Sequence, residues 1–73
     1  MNGVNKLISD VNKKLRNWNE RSNFTLKGVR NLSPADLDTL VLYAENYDGY
    51  GGFNGLMKPV GDIAEVLKAY GLM

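Results

Sequence analysis

Three stretches of this sequence space their apolar residues at the helical period, which leaves little chain from which a sheet could be built. In residues 3 to 20, Val4, Leu7, Ile8, Val11, Leu15 and Trp18 recur at the i, i+3, i+4, i+7 positions of one helical face. At about 100° per residue they fall in one narrow arc, with every charged side chain outside it. The spacing predicts an amphipathic helix that packs on one surface and shows most of its circumference to water. Trp18 closes the stripe and reads as a core anchor, because so large a ring is normally buried.

The second stretch is announced by Leu32-Ser33-Pro34-Ala35-Asp36-Leu37. Ser33 can accept from the free amides of a first turn, and Pro34 stands where a missing N–H costs nothing. Asp36 sets a negative charge against the positive helix end, and Leu32 and Leu37 have the spacing of a hydrophobic staple. Leu37, Leu40, Val41, Ala44 and Tyr47 form the expected inner face. Leu42 lies away from that face. It is expected to be covered on a second side if the helix is central, and otherwise offers itself to a partner.

The third stretch places Ile63, Val66, Leu67 and Tyr70 on one face and Asp62, Glu65 and Lys68 on the other, with Pro59 taken as a first-turn proline. Gly71 then reads as a left-handed stop with Leu72 folding back on the last turn. Residues 21–32 lose any period: Phe24, Leu26 and Val29 are expected against the core around a turn or a single helical turn, since a lone strand has no partner. The expected fold is all-α, a small three-helix bundle with helices at about 3–20, 34–47 and 57–70. An irregular connection spans 21–32, a loop of glycines and aromatics spans 48–55, and residues 1–73 form one domain.

A domain of about 73 residues buries only roughly 60% of the surface its unfolded chain exposes. With 44% hydrophobic and 23% charged residues the composition is that of a globular chain and argues against wholesale disorder. There is no cysteine, so disulfides and thiolate metal sites are excluded. No run approaches the roughly 18 apolar residues of a membrane helix, and the first residues lack the apolar core of a signal peptide. A cytoplasmic protein without membrane contact is expected.

The net charge of +1 hides an uneven distribution. Residues 1–30 hold seven bases and two acids, a balance of +5, while residues 31–73 hold six acids and two bases, a balance of −4. Such halves either attract each other or set a basic surface toward nucleic acid. On the first helix Lys6 with Asp10, and Arg16 with Glu20, are i, i+4 pairs that fit a solvated face. The candidate contacts for nucleic acid are Lys6, Lys13, Lys14, Arg16 and Arg21, with no interleaved aromatic residues to stack on bases.

The loop Asp48 to Gly55 has four glycines in eight residues. It lacks the lysine and hydroxyl of a P-loop, the preceding strand of a dinucleotide site and the alternating oxygens of a calcium loop. Two readings remain for it. The glycines hold Tyr50 and Phe53 out as a docking patch, or Phe53 and Leu56 tuck under the bundle as a lid. A helix-turn-helix does not fit, because the connection is far longer than three or four residues and the following helix is acidic.

The chain has no histidine or cysteine and only three serines, one of them assigned to a cap, and its carboxylates sit on helix starts or solvent faces. It therefore reads as a non-enzyme without metal or cofactor. Its nine asparagines and short length are similar, in size and composition alone, to small accessory proteins of phages and mobile elements that inhibit a host or defence enzyme. The function expected is a protein-binding module using Tyr43, Glu45, Tyr47, Asp48, Tyr50 and Phe53. An acidic aromatic surface of that kind would fit the basic groove of a nucleic-acid-processing enzyme. The alternatives are a nucleic-acid-binding regulator using the basic first helix, and a homo-oligomeric scaffold joined through Leu42 and the loop.

Overall fold

The computed structural model describes residues 2–16 and 25–73; the expectations for Trp18, Glu20, Arg21 and Phe24 lie outside the described residues. The fold is an all-α three-helix bundle, with α1 at Asn2–Arg16, α2 at Pro34–Glu45 and α3 at Gly61–Ala69. Among the described residues there is no strand, only isolated antiparallel bridges joining Leu26 to Val29 and Tyr47 to Phe53.

Helix α2 starts where its capping residues direct. The Asp36 amide donates to Ser33 Oγ at 3.1 Å, Pro34 occupies the first turn, and Leu32 and Leu37 are both buried across the helix start. Helix α3 stops as Gly71 demands: with φ +77°, Gly71 donates to the Lys68 carbonyl while Leu72 donates to the Leu67 carbonyl at 2.8 Å. Those two bonds are the complete Schellman closure, and they carry Leu72 into the core.

Helix α2 is central, packing most extensively on α1 and also on α3. Leu7 and Val11 of α1, Leu37 and Leu40 of α2, Val66 and Leu67 of α3, and Leu72 are almost fully enclosed. At about 1.5–3 kcal/mol for each such side chain, this shared interior is the main stabilising term. Leu26 and Val29 cap it from a two-residue reversal in which Lys27 (φ +47°) and Gly28 (φ +82°) are both left-handed. That backbone is the type I′ turn.

Three expectations need correction. Helix α3 begins at Gly61, not near residue 57, because Pro59 disfavours a helical conformation at the residue before it and Val60 is extended at φ −135°, ψ 167°. Helix α2 ends at Glu45, two residues early, where the Asn46 side-chain amide donates to the Leu42 carbonyl and Tyr47 turns away to bridge Phe53. Leu42 is 46% exposed. Although α2 touches both other helices, neither covers that side.

Candidate functional site

The connection from α2 to α3 is fifteen residues long, Asn46 to Val60, and its first half is a closed loop. The Asn54 amide donates to the Asn46 carbonyl at 2.8 Å, and the Asp48 amide donates to the Gly52 carbonyl at 3.0 Å. Within that frame one carboxylate oxygen, Asp48 Oδ1, accepts from the amides of Tyr50 at 2.6 Å and Gly52 at 3.0 Å. An aspartate closing a turn on its own following backbone is the usual way such a loop is held. Gly52 passes so close to that carboxylate that a Cβ there would collide with Asp48 Oδ2.

The loop's aromatic residues divide into two groups. Phe53 is half-buried, meeting the Tyr43 ring edge-on with centroids 4.9 Å apart and the Tyr47 ring at 5.6 Å. Tyr43 and Tyr47 are half-buried too, and the Tyr43 hydroxyl donates to the Met57 carbonyl at 2.8 Å. This cluster fastens the loop to the end of α2. Tyr50 stands apart, 95% exposed at the tip. Glu45 and Asp48 are exposed, Glu45 as the last residue of α2.

The basic residues form a different surface. Lys6, Lys13 and Lys14 of α1 line an open hollow of about 440 Å³ together with Lys27 of the type I′ turn, while Arg16 is exposed on the last described turn of α1 and Arg21 lies outside the described residues. Asp10 lies in that hollow. Its Oδ2 accepts the Tyr70 hydroxyl at 2.5 Å and pairs with Lys6 Nζ at 3.5 Å, the i, i+4 pair expected from the sequence. The Tyr70 hydroxyl, then Lys6, hold the Asp10 carboxyl below its ordinary range, against the opposing effect of burial. Burial first, and Asp10 second, push the Tyr70 hydroxyl well above the usual tyrosine range.

No family model, curated protein or solved structure matches this chain.

Among the described residues no three carboxylates converge as a metal site would require. None of the described helices is long and apolar enough to cross a membrane. The sequence missed Lys27, Met57, Val60 and the Tyr70 hydroxyl. Met57 is 86% and Val60 78% exposed in the same connection as Tyr50. Lys27 carried a faint signal in the Lys-Gly pair between two apolar residues, but its placement opposite α1 is a tertiary fact.

Proposed function

We propose that this chain is a non-enzymatic protein-binding module that docks through the loop between α2 and α3. The observation that carries the reading is Tyr50, 95% exposed on a backbone pinned by Asp48. A large ring held out on a preformed loop loses little entropy on binding and gains about 1.5–3 kcal/mol when covered. Met57 and Val60 add exposed apolar surface in the same connection, while Tyr43, Tyr47 and Phe53 supply the footing beneath it. The exposed acids Glu45 and Asp48 support a narrower form, in which the partner's face is basic and belongs to an enzyme that handles nucleic acid. Occupying such a groove would make this chain an inhibitor of the phage or mobile-element kind.

The test compares wild type and Tyr50→Ala as bait in a pull-down from cell extract, with circular dichroism to confirm equal helix content. Because the Tyr50 side chain is almost wholly exposed, the variant keeps the fold and is expected to lose captured partner by about tenfold or more, equivalent to about 1.4 kcal/mol. Equal capture by both proteins removes the loop from consideration. The exposed Leu42 supports self-association as a second reading, and a mass that doubles with concentration in light scattering would mark it.

A further inference from the structure

The hollow between the outer face of α1 and the Leu26–Val29 turn is independent of the tyrosine loop. Lys6 and Lys13 are seven residues apart on α1, two turns, so they stand on the same side about 10 Å apart along the axis. Lys14 stands beside this row, and Lys27 reaches in from the opposite wall, its Nζ 4.9 Å from the centre of the Tyr70 ring. Asp10 is the one acid among these groups, and both the Tyr70 hydroxyl and Lys6 already engage its Oδ2. Among the described residues, four lysines and one carboxylate line this hollow, in a chain whose total is +1. The neighbouring hollow, which Lys27 also borders, instead sets Asp62 and Glu65 among Arg30 and Lys68, so these two acids lie away from the α1 lysines.

We propose that this hollow binds the phosphodiester backbone of a nucleic acid without reading its sequence. A row about 10 Å long spans about two successive phosphates of one strand, more than a lone phosphate needs. Lysines act as point charges on phosphate, whereas planar bidentate recognition of a base edge calls for arginine. Among the described residues the one aromatic ring lining the hollow is that of Tyr70, which is buried and so offers no face on which a base could stack.

The experiment is fluorescence anisotropy with a fluorescein-labelled 20-nucleotide single strand and with the duplex made from it, using the full chain. With about two phosphates neutralised, affinity is expected to fall roughly 7-fold for the single strand and roughly 12-fold for the duplex as salt rises from about 50 to about 200 mM. Comparing these arms identifies which form is the ligand. Lys13→Gln and Lys27→Gln should each weaken binding and flatten the slope of log affinity against log salt by about 0.7–0.9. Lys58→Gln, which removes the same charge elsewhere, should change affinity less than twofold. Absence of binding to both oligonucleotides at the lower salt overturns the proposal, as does an equal loss with Lys58→Gln. Retention on phosphatidylserine vesicles without binding to either oligonucleotide overturns it in favour of a membrane surface. Tyr50→Ala should leave oligonucleotide binding untouched, so the two proposals fail separately.

Discussion

Tyr70 joins the last helix to the first through one hydroxyl. Its bond to Asp10 spans sixty residues of sequence, and the two titrations displaced by it define when it counts. Asp10 titrates below its ordinary 3.8, so its contribution is present above that pH and is lost as pH falls through the lower, folded value. Tyr70 titrates above its ordinary 10.0, so its contribution is present below that pH and is lost as pH rises through the higher, folded value. Tyr70→Phe should therefore cost about 1.5 kcal/mol across the neutral range, the scale of a bond to a charged acceptor. It should also lose less stability than wild type as pH falls below the ordinary 3.8 of an aspartate. Urea unfolding at acid and neutral pH checks both; a parallel acid decline in the two proteins would mean that the bond does not hold Asp10. The sequence placed Tyr70 on an apolar face and paired Asp10 with Lys6, and both assignments stand. It could not place the hydroxyl on the carboxylate, because that meeting depends on how α3 lies against α1.

At the scale of elements, the boundaries written by local chemistry were readable. Ser33 and Pro34 at the start of α2, and Gly71 at the end of α3, act within a few residues of themselves and need no tertiary context. Replacing Gly71 by alanine keeps the left-handed φ but adds a Cβ that disfavours it, at a cost of about 1 kcal/mol. Thermal unfolding should then fall by about 4–8 °C, the usual shift for a domain this small. No change would mean that the Schellman closure contributes little. Local chemistry is ambiguous at the start of α3. Pro59 is as compatible with a helix's first turn as with the segment before one, and the extended Val60 decides for the latter. The loop's sequence admits both patch and lid, and the structure divides it: Phe53 sits half-buried against Tyr43 and Tyr47 while Tyr50 remains outside. What separates them is Asp48, whose carboxylate ties the amides two and four residues on, a pattern visible only once the backbone closes.

For the molecule as a whole, the margin is thin. At roughly 0.05–0.15 kcal/mol per residue, a chain of 73 residues has about 4–11 kcal/mol to lose. Leu40 is fully enclosed on the central helix, so Leu40→Ala should remove about 2–5 kcal/mol. The urea midpoint should drop sharply with little change in slope, and a drop of under about 1 kcal/mol would place the stability elsewhere. The charge asymmetry also resolves at this scale. Lys27 and Arg30 from the basic half share a hollow with Asp62 and Glu65 from the acidic half, while Lys6, Lys13 and Lys14 line the neighbouring hollow, which Lys27 also borders. A division of labour also follows from the way the long connection is fastened. Its shape is held by an aspartate, a glycine and a phenylalanine, which leaves the residue at position 50 with no architectural duty. On the docking proposed above, exchanging that one side chain would redirect what the molecule grips while every helix stayed where it is.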